Sequence, residues 1–285
     1  MNEIYLYAPA KINLTLDIIS KRPDGYHNIS SVMQTISLSD SIKIEKTRLP
    51  GVKILSNINW LAKDENNLVY RIASDLINEY NLDFGVRIKL FKRIPIGAGL
   101  AGGSADCAAT LKGMIELFDL RISTCKAYKI CERYGADVPF CFMGGTALAK
   151  GIGNILHRLP NHPKTYVLLA KPKFSLSTEK IYKMIKAKDM RLSDPKKIIN
   201  AIKFKNRKAI AANFHNTFES IVTSSHPIIA QIKETMIKNG GLGACMSGSG
   251  PTVFGYYDNF EDAKKTASLI ENTFPPTKTY FAKTL

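Results

Sequence analysis

The stretch that most restricts this chain is PIGAGLAGGSADCAA, residues 95–109. Ahead of it VRIKLF (86–91) alternates as a strand. Behind it Cys107, Leu111, Met114, Ile115 and Phe118 mark one face of a helix that ends near Asp119. A plain turn needs one or two glycines, whereas Gly97, Gly99, Gly102 and Gly103 crowd into this one, with Ser104 at the expected helix start. Such backbone must approach something closely. Exposed amide N–H groups at the positive end of a helix hold anions without any cationic side chain. The stretch therefore reads as a phosphate cradle.

Gly97, Gly99 and Gly102 also spell GxGxxG, the spacing of dinucleotide sites. That reading requires a parallel strand soon after the helix, ending in an acidic residue. Here the helix runs into a second one over about 124–133, and residues 1–94, mostly of β character, precede the motif. A P-loop needs lysine directly after its last glycine, and a protein-kinase lid needs V-A-I-K, H-R-D and D-F-G downstream; all are absent.

Composition narrows the class further. With 285 residues, 45% hydrophobic and 22% charged, the chain matches a soluble globular protein of one large or two ordinary domains. Five cysteines, odd in number and without C-x-x-C pairing, point to free thiols in a reducing compartment and to no zinc site. No apolar run approaches the ~18 residues of a membrane span. MNEIYLYAPAKINLTLDI has the pattern of neither a signal nor a transit peptide, so a cytoplasmic location is expected. The net charge of +16 raises nucleic acid as a partner. Half of it, ten Lys/Arg less two Asp, lies in residues 183–208, where Phe204 is the single aromatic. Without stacking platforms, that segment reads as a solvated lysine-rich face or as local attraction for a polyanionic small molecule.

Strands are expected at 3–7 and 11–19, then around 31–38, 41–46 and 52–56, with RPDGYH (22–27) as a turn-rich loop. In KINLTLDII, Ile12, Leu14, Leu16 and Ile18 alternate as in a half-buried strand, which sends Lys11 and Asn13 to the opposite face. Leu68, Ile72, Leu76 and Tyr80 give a helix over 66–80. GADVPFC (135–141) breaks the helix before it, Pro139 biasing Val138 toward an extended conformation, and FMGGTALAKG suggests a strand. RLPNHPK (158–164) is the best boundary, giving domains 1–160 and 161–285. Beyond it come a strand (165–171), a helix (177–185), a basic helical region and a helix over 226–241 with Pro227 near its start. Strands LGACMS and TVFGYY, a helix at 260–272 and a strand TKTYFAK complete a β-α-β-β-α-β, ferredoxin-like order. The fold class is α+β.

Taken together, PIGAGLAGGSA, PAKINLTLDI (9–18) and GACMSGSGPTVFG (243–255) resemble, in order and spacing, the three motifs of the GHMP kinases. The resemblance spans nearly the whole chain. It implies a two-domain α+β fold: an N-terminal ATP-binding domain similar to one found in a ribosomal protein, a ferredoxin-like C-terminal domain, and a site in the cleft between them. PAKINLTL followed by RPDGYH, AGGSADCAA and YGADVPFC (134–141) resembles the branch of that superfamily whose acceptor is the 2-hydroxyl of a cytidine diphosphate methylerythritol. ATP is the implied donor, with Mg²⁺ arriving on the nucleotide because no carboxylate cluster forms a dedicated metal site. A monomer or weak homodimer is expected.

The resemblance also implies roles. Asp137 is the base or hydroxyl-positioning carboxylate, and Lys11, between it and the substrate hydroxyl, stabilises the forming alkoxide. Taken alone, Asp137 is equally a turn or capping residue and Lys11 a solvated strand lysine. Gly97, Gly99, Gly102, Gly103 and Ser104 fall on the ATP phosphates. Asn67 matches a position that contacts adenine, or is an N-cap. Asn13 belongs with the acceptor. Tyr26 and His27 match residues that hold cytosine, against an ordinary turn. Thr178 and Tyr182 match the second wall of the pocket, against a core tyrosine. Gly248 lets the third motif close in beside the substrate, against a plain hairpin. Kinases of homoserine, mevalonate or a sugar share the ATP apparatus and remain open, as does a nucleic-acid-binding protein, which leaves Lys11 and Asp137 unexplained.

Overall fold

The structure is a computed structural model and describes residues 1–190 and 194–285. Two very long strands organise it: β1 (Glu3–Lys21) and β2 (His27–Thr47). The sequence divides each of these into two. Pro9 interrupts the alternation of β1 but not its course, since its fixed φ suits an extended chain and removes one ladder donor only. Each strand belongs to both of the compact units into which the chain divides. Residues 1–10, 39–96 and 101–143 form the first unit, and residues 11–38, 97–100 and 144–285 the second. Packing thus groups the residues differently from a sequential division at 160.

In the first unit the last part of β2 (Ser41–Thr47) pairs antiparallel with β4 (Gly85–Phe91), and β3 (Val52–Ser56) adds to β4 in parallel. Helices α1 (Leu68–Glu79), α2 (Gly102–Phe118), α3 (Thr124–Glu132) and α4 (Val138–Met143) follow. The core joins Ile42 and Ile44 of β2 and Ile88 and Leu90 of β4 to Ile72 and Leu76 of α1 and Leu111 and Met114 of α2. Two expectations need correction. Pro139 does not hold Val138 extended; both lie in the first turn of α4, where proline's missing N–H has no helical partner to lose. FMGGTALAKG is not one strand, because Phe142 and Met143 are still helical and β5 (Thr146–Lys150) begins after two positive-φ glycines, Gly144 and Gly145.

The second unit contains two sheets. In one, the first part of β2 pairs with β5, β5 with β6 (Ile155–Arg158), and β1 in parallel with the two-residue β8 (His215–Asn216). β1 is not half-buried here. Residues 11–18 are buried on both faces, the apolar Ile12, Leu14, Leu16 and Ile18 alternating with Lys11, Asn13, Thr15 and Asp17. Buried polar groups must find partners; Asn13 donates to Ser31 Oγ at 2.8 Å, and Asp17 Oδ2 meets His215 Nε2 at 2.6 Å.

The other sheet has the order β11 (Lys278–Lys283), β7 (Tyr166–Lys171), β10 (Val253–Tyr257), β9 (Gly243–Met246), antiparallel throughout. Counted along the chain that is fourth, first, third, second, the ferredoxin-like arrangement expected. The remaining helices are α5 (Thr178–Lys183), α6 (Lys196–Lys203), α7 (Arg207–Ala212), α8 (Thr217–Ser225), α9 (Ile228–Lys238) and α10 (Phe260–Thr273). Phe218 of α8, Ile229 and Ile232 of α9 and Ile270 of α10 bury against Leu168, Val253 and Tyr257. Arg191 of the basic segment lies outside the described residues. Among the described residues no helix is long and apolar enough to cross a membrane.

Candidate active site

The glycine stretch folds as a tight loop into a helix. Gly97 (φ +63) and Gly99 (φ +73) are left-handed, and α2 starts at Gly102, so Ser104 is its third residue rather than its first. Ala101 occupies the N-cap position at φ 56 and makes no side-chain cap bond, and the first turn of α2 contains no acidic residue. The first amides of a helix are unsatisfied unless capped, so this end presents N–H groups and positive potential outward. Gly103 is exposed, and a Cβ built on it would meet nothing within 4 Å. An open, uncapped, glycine-bearing helix start fits the phosphates of a nucleotide.

Beside the start of α2 lies a charge cluster that sequence reading missed. Lys92 Nζ donates to both Asp40 and Asp106, and all three residues are buried. Asp40 also accepts from the Arg93 and Ile94 amides at 2.5 and 2.8 Å, which ties the strand end to the loop. Burial, with Asp40 sharing the single ammonium, pushes Asp106 up to about 8, although Lys92 pulls the other way. Lys92 lies above its usual value: desolvation lowers it, but the two carboxylates outweigh that. The one sequence signal was a lysine and an aspartate flanking the glycines, and neither spacing nor pattern says that they meet.

The loop tip is held by the third motif. Ser247 Oγ donates to Gly99 O at 3.0 Å, and a Cβ on Gly99 would lie 2.2 Å from Ser247 O. Gly248 (φ +57) faces the same place: a Cβ there would lie 3.1 Å from Gly99 O and 3.5 Å from Asn13 Oδ1. Lys11 N donates to Leu100 O at 3.2 Å, and Lys11 Nζ donates to Asn13 Oδ1 at 2.7 Å. Lys11, Asn13, Gly99 and Gly248 thus form one assembly in the second unit, which also includes Gly97. Lys11 is not a solvated strand lysine; it is 4% exposed.

The residues expected on the acceptor side belong to the same unit. His27 is buried, and its ring centroid is 5.3 Å from that of Tyr182, tilted by 40°. Burial, aided by Lys21, lowers the His27 pKa, and among the described residues its Nδ1 has no hydrogen-bond partner. A neutral imidazole with an orphaned nitrogen beside an aromatic ring fits the edge and face of a base. Tyr182 also packs edge-on to Phe218 at 4.8 Å, the contact expected of a core tyrosine. Thr178 Oγ1 lies 2.8 Å from Ser249 Oγ, joining α5 to the third motif. Tyr26 is 62% exposed.

In the first unit, Asn67 is the N-cap of α1: Oδ1 accepts from Val69 N at 2.9 Å and Nδ2 donates to Ala62 O at 2.8 Å. Asp137 directly precedes α4, half-buried, and its carbonyl accepts from Cys141 N at 3.0 Å. Among the described residues no group of three or more His, Cys, Asp or Glu could hold a metal ion.

Models of the GHMP kinases N terminal domain and the GHMP kinases C terminal region match residues 67–145 and 199–275, in that order. The chain is a GHMP kinase. At 42% identity over 96% of both chains the kinase is similar to 4-diphosphocytidyl-2-C-methyl-D-erythritol kinase of Acetivibrio thermocellus. At 45% over 90% of both it is similar to the Lachnospira eligens enzyme of the same name. Among solved structures, a 4-(cytidine 5'-diphospho)-2C-methyl-D-erythritol kinase superposes with a TM-score of 0.85 at 28% identity, covering 99% of each chain. Homoserine kinase from Cytophaga hutchinsonii gives 0.78 at 18% identity, over 99% of this chain and 95% of that one, and shares the fold. Membership of this family entails the use of ATP.

Proposed function

We propose that this kinase transfers the γ-phosphoryl group of ATP to the 2-hydroxyl of 4-diphosphocytidyl-2-C-methyl-D-erythritol, giving the 2-phosphate and ADP, in the non-mevalonate isoprenoid pathway. The carrying observation is similarity at 42–45% identity, over 90–96% of the chain, to enzymes of that name. The His27–Tyr182 pair supports it, since homoserine and mevalonate have no base to offer an orphaned imidazole nitrogen.

In this reading the α2 amides at Gly102, Gly103 and Ser104, with the Gly97–Gly99 turn, receive the phosphates. Asn67 lies by the adenine, although its amide is already engaged in capping. Mg²⁺ comes bound to the nucleotide and neutralises phosphate charge. Asp137 takes the hydroxyl proton as the new P–O bond forms and the bond to ADP breaks, or it positions that hydroxyl. Lys11 stabilises the developing alkoxide, its ammonium aimed by Asn13 Oδ1. His27 hydrogen-bonds the cytosine edge, Tyr182 and Tyr26 supply aromatic faces, and Thr178 and Gly248 border the polyol. The kinase acts in the cytoplasm as a monomer or weak homodimer, without nucleic acid.

ADP release is measured with the cytidylylated methylerythritol, homoserine, mevalonate and galactose offered in parallel. Turnover of the first alone is expected, and turnover of any of the others without it refutes the assignment. Asp137→Asn should lower kcat by ~10² or more at unchanged melting temperature; near-full turnover removes Asp137 from the chemistry.

A further inference from the structure

We propose that Asn216 is a positioning residue for phosphoryl transfer: from behind the site it sets the course of the third glycine loop, and through that loop the tip of the phosphate loop. The proposal deepens the function proposed above and rests on it. Asn216 is buried and sits in β8, whose pairing of Leu16 with Asn216 places it beside β1, the strand that carries Lys11 and Asn13. Its two amide N–H groups both go to the loop, donating to Met246 O at 2.7 Å and Gly248 O at 2.8 Å. Its Oδ1 accepts from Phe218 N at 2.9 Å as the N-cap of α8.

Three residues on, Glu219 would complete a capping box by turning back to the N-cap amide. Instead its Oε1 accepts from Met246 N at 3.3 Å, while Oε2 accepts from Lys233 Nζ at 2.7 Å. The first turn of α8 therefore grips both the N–H and the C=O of Met246, and Gly248 O beyond it. That use serves the loop rather than the helix.

The consequence reaches the reacting groups. A trans peptide sends its C=O and the following N–H in opposite directions. Drawing Gly248 O to Asn216 thus turns the Ser249 N–H away from it. The segment so held carries Ser247, whose hydroxyl donates to Gly99 O, and Ser249, whose hydroxyl meets Thr178. Leu100, next to Gly99, in turn accepts from Lys11 N. One buried amide, itself outside the substrate contacts proposed above, governs the placing of the phosphate loop tip, the loop at Gly248 and the helix of Thr178.

Asn216→Asp separates this role from capping. Aspartate caps a helix as well as asparagine does but cannot donate to the two carbonyls. Folding is checked by melting, and Asn216→Ser, which keeps a cap oxygen, serves if the aspartate variant does not fold. In the folded variant kcat should fall at least ~10-fold with the acceptor KM within ~3-fold, because small displacements of reacting groups are costly in rate. Backbone amide exchange at 97–100 and 246–250 should rise ~10-fold, with 217–225 still protected. Wild-type kcat, or a change confined to KM, overturns the proposal, and so does unchanged exchange at 246–250. If the wild-type protein does not phosphorylate the cytidine-bearing acceptor, the function assigned above fails, and the exchange measurement alone decides whether Asn216 positions the loops.

Discussion

Gly103→Ala should make the free kinase more stable and its grip on ATP weaker. Gly103 is the second residue of α2, its φ is not in the left-handed region, and a Cβ there would touch nothing within 4 Å. Nothing in the ligand-free fold requires glycine. Alanine is favoured in a helix by roughly 0.5–1 kcal/mol at such an exposed position. For a chain of this size that corresponds to a melting temperature higher by about 1–3 °C. The glycine is explained if a phosphate oxygen must approach the amide where the methyl would sit. Losing one charged hydrogen bond of this kind costs about 1.5–3 kcal/mol, or roughly 10- to 100-fold in affinity. Calorimetric melting without nucleotide gives the first quantity, and titration with a non-hydrolysable ATP analogue gives the second. A variant that melts higher and still binds the analogue with wild-type affinity refutes the reasoning, since the open space would then not belong to the phosphates.

Gly99→Ala should behave in the opposite way. A left-handed alanine costs about 1–2 kcal/mol, and its Cβ, 2.2 Å from Ser247 O, would have to displace the backbone of the third motif. A lower melting temperature and a kcat down by ~10² are expected; wild-type melting would show that the staple between the two loops is loose. Asp106 supplies a pH dependence. Burial holds its pKa at about 8 in the folded chain, against 3.8 for an ordinary aspartate, so the folded state holds an extra proton across that window. Stability should therefore decline as pH rises from about 4 to 8. Asp106→Asn should flatten the melting temperature measured from pH 5.5 to 8.5, and parallel curves for the two proteins would remove Asp106 from the account.

Features that depend on neighbours along the chain were legible. The helical recurrence of Leu68, Ile72 and Leu76 gave α1, Pro227 marked the start of α9, and the order β7, β9, β10, α10, β11 carried the ferredoxin-like arrangement. The local form of the glycine stretch was equally clear: a strand, a glycine-rich turn and a helix, read as an anion cradle with no lysine after it and no strand behind its helix. Where local signals conflicted, the reading failed. Pro139 reads as a breaker by its effect on Val138, yet the first turn of a helix tolerates proline, and α4 begins there.

What only the tertiary structure decided are the contacts between residues far apart in sequence. Alternation predicted that Lys11 and Asn13 share a face, but not that this face is buried and must be satisfied internally. Nothing in the chain announces that Lys92 lies between Asp40 and Asp106, or that Ser247 reaches Gly99 across 148 positions. Asn216 is the plainest instance. The run N-T-F-E looks like a helix start and is one, but its amide and its glutamate are turned to a loop some thirty residues on. A side chain's type limits which bonds it can make; which atoms it meets depends on the folded path of the whole chain, and that is where a cap becomes a clasp.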